Sequence, residues 1–230
     1  RRRASVFPLE SEDAHPCFQF LWRSWGRSFP HRRETAKGQS APARSAARMD
    51  GSIAIMTSDI ILITGGTRSG KSQYAEQRLR EMGGRSIYVA TAEANDEEMA
   101  QRIAEHRKRR ANQWRTIEEP LELTQVLLAE RGRTDCALVD CLTLWISNLL
   151  LRHDHKYASE KVDELIEKLP ELDFHLVFVT NEVGWGIVPD NSLARKFRDL
   201  AGWTNQRIAQ AANEVILMVA GVPMTAKSRS

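Results

Sequence analysis

Cysteine is scarce in this chain: only Cys17, Cys136 and Cys141 occur, and no two form a Cys-x-x-Cys pattern. An odd, scattered set of this kind excludes a disulfide framework and offers no zinc-ligand spacing. A reducing compartment, the cytoplasm, is therefore expected. Long apolar runs are missing too; none approaches the about 20 residues that a membrane-crossing helix needs. No internal repeat is visible. Nor does one sign of charge dominate the bulk of the chain. Residues 59–230 carry 23 Lys or Arg against 25 Asp or Glu, a balance that argues against a broad nucleic-acid surface.

The formal charge of +3 arises in residues 1–58, which hold ten basic and five acidic side chains. This stretch opens with Arg1, Arg2 and Arg3 and has no periodicity, its prolines and Arg pairs interrupting every pattern. Phe18, Phe20, Trp22 and Trp25 cluster in a run too short for a signal peptide, and Glu10, Glu12 and Asp13 do not suit a transit peptide. The reading is a poorly ordered basic leader, with Met49 or Met56 as a candidate natural start. No function is assigned to it. Residues 59–230 read as one domain, a size a single core supports.

Within that domain, short apolar runs alternate with helical patterns. Strands are expected at 60–64, 86–91, 136–140, 174–180 and 215–220. Helices are expected at 73–82, 96–110, 121–131, 142–153, 159–169 and 192–213. Strands that are apolar throughout indicate a mostly parallel central sheet with helices on both faces, an α/β fold. In such sheets ligands bind at the carboxyl ends of the strands.

The residues of greatest chemical interest stand at those ends. The first apolar run leads into Gly65, Gly66, Thr67, Arg68, Ser69, Gly70, Lys71 and Ser72, the Gly-x-x-x-x-Gly-Lys-Ser pattern of a P-loop. Backbone N–H groups leading into a helix N-terminus answer closely spaced phosphate oxygens without side-chain bulk. Lys71 can reach the β and γ phosphates of a nucleotide, and the Ser72 hydroxyl can hold Mg²⁺. Asp140, at the tip of the run 136–140, is a second Mg²⁺ ligand candidate; alone, it reads equally well as the N-cap of the next helix.

A third group lies on the helix expected at 96–110. Asn95 or Asp96 can cap it, and Met99 and Ile103 mark its buried face. His106, Arg107 and Arg110 follow Ile103 by three, four and seven residues and share that face. An imidazole kept neutral by Arg107, Lys108, Arg109 and Arg110 could attack a nucleotide α-phosphate while the cations neutralise developing charge. On the residues alone, a solvated basic helix end is the simpler reading. The fourth group, residues 180–189, follows an apolar strand. Its Gly184 and Gly186 can let a loop close, and Trp185 offers a flat face to a large ring or, equally, to the core. Glu182 can support a metal or a substrate hydroxyl, or cap a helix.

Taken together, these stretches resemble the bifunctional adenosylcobinamide kinase and adenosylcobinamide-phosphate guanylyltransferase family of cobalamin biosynthesis. The resemblance is carried by residues 88–92, 102–107, 114–120, 139–145, 180–189, 193–199 and 205–206, beyond the generic P-loop. It implies that the primary hydroxyl of the aminopropanol arm of adenosylcobinamide is phosphorylated by ATP or GTP. GMP from GTP is then transferred to that phosphate, with pyrophosphate released. It also implies a GMP-histidine at His106, which reverses the simpler reading of that helix end. Nucleotide contacts are implied at residues 65–72, Thr91, Ala92, Glu93, Arg107, Lys108, Arg109, Arg110, Glu118 and Asp140, and a homo-oligomer, often a trimer, is implied as well. Ala111 stands where many relatives have Pro, and Trp185 where they often have Met. A single-function P-loop kinase for another small alcohol is the alternative; a GTP-binding switch is the alternative from another class.

Overall fold

The computed structural model describes residues 58–94, 97–110 and 113–228. The leader expected at residues 1–58 falls, except for Ser58, outside the described residues, as do the candidate caps Asn95 and Asp96 and the departure at Ala111. In chain order the elements are β1 (Ile60–Gly65), α1 (Lys71–Met82), β2 (Ser86–Ala90), α2 (Glu97–Arg110), β3 (Arg115–Glu118) and α3 (Leu123–Ala129). They continue with β4 (Cys136–Asp140), α4 (Leu142–Arg152), α5 (His155–Lys168), β5 (His175–Val179), α6 (Ser192–Ala211), β6 (Glu214–Val219) and β7 (Val222–Lys227). The seven strands form one sheet in the order β3-β2-β4-β5-β1-β6-β7. All neighbours are parallel except β6 and β7, which pair antiparallel.

Alternation along each strand builds two cores. Ile60 and Leu62 face one layer, with Leu142, Trp145, Ile146 and Leu149 of α4, Val162 and Leu165 of α5, and Leu200 and Ile208 of α6. Ile61 and Ile63 face the other, with Ala75 and Leu79 of α1. A side chain fully buried this way contributes about 1.5–3 kcal/mol. This is why continuous apolar runs, rather than alternating ones, mark the inner strands.

Two strands were not expected, and both lie at the edges of the sheet, largely exposed. β3 is an exposed four-residue strand, and every residue of β7 is exposed. Neither buries enough apolar surface to leave a run in the sequence, and Pro223 is tolerated in β7 because that strand lies at the sheet edge. α5 begins at His155, four residues before its expected start, with the Asp154 side chain accepting from the Tyr157 amide at its N-cap.

Candidate functional site: a cleft above the carboxyl ends of the strands

β1 delivers the chain to the phosphate loop at Gly65, where only a glycine fits. Its φ is 146°, and a Cβ there would lie 2.5 Å from the Met218 carbonyl oxygen of β6. Gly70, at φ 93°, is the N-cap of α1 and supplies no side-chain hydrogen bond. α3 and α4 also open without a side-chain cap, whereas α5 and α6 have one. The latter two carry Asp154 and Asn191, whose side chains satisfy the first amides. The amides opening α1 lack such a cap, the arrangement that suits an incoming anion. Ser69 Oγ is also buried without a hydrogen-bond partner among the described residues.

Lys71 is buried at the start of α1, and its Nζ donates to the Gly66 carbonyl at 2.6 Å. Burial pulls its pKa below the ordinary value, opposed by the negative charges that Cys141 and Asp140 can carry. Asp140, at the end of β4, accepts a 2.5 Å hydrogen bond from the Tyr88 hydroxyl. The N-cap of α4 is Cys141, so Asp140 is not that helix's cap. The thiol of Cys141 is buried and pushed up to about 12, which removes it as a nucleophile.

These groups share a cleft of about 500 Å³. One wall is the phosphate loop, with Thr67, Arg68, Ser69, Gly70, Lys71 and Ser72. The floor includes Tyr88, Ala90, Ala92, Asp140, Val179 and Asn181, from the ends of β2, β4 and β5 and the segments that follow them. Met99, Ile103, Glu105 and His106 of α2 line it as well, together with Glu118 of β3. His106, thirty-five residues after Lys71, thus borders the same volume as the P-loop lysine. Met99 and Ile103 are only partly buried: they face the cleft instead of a closed core.

Other candidate residues stand elsewhere. Thr91 is buried, and its hydroxyl bridges the Cys141 backbone, accepting from the amide and donating to the carbonyl, both at 2.8 Å. Glu93 pairs with Arg152 at 2.5 Å and is not among the lining residues. Arg107 lies off the lining too, held by Glu118 in a bidentate pair with contacts of 2.5 and 2.7 Å. Lys108 is exposed, and the side chains of Arg109 and Arg110 lie outside the described residues. Trp185 is 76% exposed and does not pack on the core. Glu182 caps no helix; it accepts from the Gly184 amide at 3.0 Å.

Tyr88, Leu144 and Asn181 were not singled out as nucleotide contacts, yet they line the cleft. Tyr88 had one legible signal: a tyrosine inside an otherwise apolar strand needs a polar partner for its hydroxyl. That partner is Asp140.

Among the described residues no cluster of three or more His, Cys, Asp or Glu forms a metal site. Mg²⁺ does not require one. It is commonly held by one or two protein oxygens, with phosphate oxygens and water completing its shell. Ser72 of the phosphate-loop wall and Asp140 of the floor both line the cleft, and a hydroxyl and a carboxylate suit that habit.

Comparison with known proteins identifies the family. The family model described as cobinamide kinase / cobinamide phosphate guanyltransferase matches residues 61–226, from β1 into β7. The bifunctional adenosylcobalamin biosynthesis protein CobP of Pseudomonas aeruginosa is 49% identical over 166 residues, covering 72% of this chain and 96% of that protein. The bifunctional adenosylcobalamin biosynthesis protein CobU of Escherichia coli is 39% identical, over 73% of this chain and 99% of its own length. Its namesake in Salmonella typhimurium is 40% identical with the same coverage. A match that runs through every element around the cleft places this chain in the cobinamide kinase / cobinamide phosphate guanyltransferase family.

Proposed function

We propose that this chain phosphorylates adenosylcobinamide with ATP or GTP and then transfers GMP from GTP to adenosylcobinamide phosphate, giving adenosylcobinamide-GDP and pyrophosphate. The observation that carries the reading is the single cleft bordered by both the phosphate loop and His106. Family membership supplies the substrate class.

In the first half, the aminopropanol hydroxyl oxygen attacks the γ-phosphorus. The bond to the β-bridging oxygen breaks, the nucleoside diphosphate leaves and the hydroxyl proton is released. Lys71 and the loop amides hold the phosphates in line and offset their charge. Ser72 and Asp140 would hold Mg²⁺, which supplies charge neutralisation on the phosphate oxygens. In the second half, an imidazole nitrogen of His106 attacks the α-phosphorus of GTP, and the α-phosphorus–oxygen bond to pyrophosphate breaks. A phosphate oxygen of adenosylcobinamide phosphate then displaces the imidazole. Two displacements replace one direct meeting of two anions. The Arg107–Glu118 pair stands beside this wall, where Arg107 can follow the transferred phosphoryl group.

Trp185 and Ile187, 76% and 97% exposed on the segment that continues from the cleft residue Asn181, offer apolar area for the corrin ring. We assign the reaction to the cytoplasm, in keeping with the two free buried cysteines of the described residues. No helix of the described residues is long and apolar enough to cross a membrane. The protein is proposed to act as a homo-oligomer, a trimer by resemblance.

The test is incubation of the full chain with adenosylcobinamide, GTP and MgCl₂, followed by mass spectrometry of the corrinoids. Appearance of the phosphate and then the GDP derivative is expected. The phosphate alone would leave a single-function kinase, and neither product would defeat the reading.

A further inference from the structure

β6 and β7 are joined by the two-residue turn of Ala220 and Gly221, with φ of 50° and 85°. Positive φ at both central positions is the geometry that matches the twist of a tight hairpin. This turn does more than reverse the chain. The Gly221 amide donates to the carbonyl of Ser69, inside the phosphate loop, at 3.0 Å. A Cβ built on Gly70 would lie 3.4 Å from the Gly221 Cα, so the two backbones run in contact. Ala220 and Gly221 do not line the cleft; Ser69 and Gly70 do. The hairpin therefore backs the loop from the side away from the cleft.

Peptide geometry gives this contact a consequence. In a planar trans peptide the C=O and the N–H point in opposite directions. The Ser69–Gly70 peptide is trans, and its carbonyl is tied to the hairpin. Its N–H, on Gly70, is thereby turned away from the hairpin and toward the phosphate side. A flipped peptide would present a carbonyl oxygen to an anion instead.

We infer that Gly221 is a positioning residue for the nucleotide reaction, its amide locking the Ser69–Gly70 peptide with the N–H facing the bound polyphosphate. The inference rests on the proposed binding of a nucleoside triphosphate by the loop. It gives the antiparallel edge strand, which contributes no side chain to the cleft, a role in phosphate binding. A Cβ at position 221 would meet nothing within 4 Å, so the first cost of substitution there is the positive φ.

Gly221→Val and Gly221→Asn separate that effect from bulk. Valine resists positive φ, whereas asparagine accepts the left-handed region. The measurements are the Kd for Mg·GTP and for inorganic triphosphate, each protein's Tm, and amide NMR of the wild-type full chain. The Val variant is expected to bind both probes about tenfold more weakly. The Asn variant is expected to stay within about threefold of wild type. In wild type, saturating triphosphate should shift the Gly70 amide proton, with the Gly221 amide protected from exchange. A folded Val variant with unchanged affinity, or an Asn variant as weak as the Val variant, overturns the inference. So does a Gly70 amide that stays put, a measurement that holds even if the Val variant fails to fold. Wild-type protein that binds neither probe would instead defeat the nucleotide reading itself.

Discussion

His106 and Lys71 border one cleft but are asked to do different chemistry. Lys71 offsets phosphate charge in both halves of the proposed reaction; His106 forms a bond in only one. His106→Ala is therefore expected to lower GMP transfer by more than about a hundredfold while phosphorylation stays within about fivefold. Product analysis of each half shows it, and equal loss of both in folded protein contradicts the division. Lys71→Met should lower both by about a hundredfold or more. It should not lower the Tm of the ligand-free protein. Burial depresses the Lys71 pKa, so the folded state binds that proton less well than the unfolded state does. The resulting cost is present in full below the folded pKa and fades as pH rises toward the ordinary 10.5. Denaturation of the two proteins across that range should show any stability advantage of the Met variant narrowing with increasing pH. Cys141 tests the electrostatics of the same floor from another side. With its thiol pushed up to about 12, the thiolate fraction at pH 8 is on the order of one part in ten thousand. Native protein treated with iodoacetamide at pH 8 should stay unlabelled at Cys141 by mass spectrometry, whereas protein unfolded in urea should label. Rapid native labelling would contradict the burial.

Among the elements, α4 ties the sheet to the segment that leads into α3. Trp145 is fully buried, and its indole N–H donates to the Leu121 carbonyl at 2.8 Å. Trp145→Ala removes that bond and leaves a cavity, so urea denaturation should show a loss of about 3–5 kcal/mol; a loss below about 1 kcal/mol would contradict the packing. Legibility in the sequence followed the same physics. β1, β2, β4, β5 and β6 are buried enough to require apolar residues, and each left an apolar run. β3 and β7 are exposed edges held by backbone pairing, which no side-chain pattern records. The phosphate loop was legible because glycine is required at Gly65 and Gly70 by backbone conformation. The bond from Gly221 to Ser69 was not, because it joins two main chains about 150 residues apart. α2 was legible as a helix, but its apolar side chains face the cleft, and periodicity alone does not distinguish a cleft from a core.

For the molecule as a whole, the sheet order carries β1, β2, β4 and β5 to one crevice, so phosphate loop, acid and imidazole meet although they are far apart in sequence. Val222 and Met224 on the outer strand are exposed and suit contact with a second copy, and sedimentation is expected to give a mass above that of the 26.1 kDa chain. A monomer at micromolar concentration would remove that part of the proposal. The central claim is that one cleft grips the triphosphate while His106 takes the GMP group. It is tested most directly by incubating the full chain with GTP labelled at the α-phosphate, denaturing it, and mapping the label. The account expects acid-labile, alkali-stable label on His106, discharged by adenosylcobinamide phosphate before denaturation. Guanylyl transfer proceeding in full with no label on that residue would contradict it.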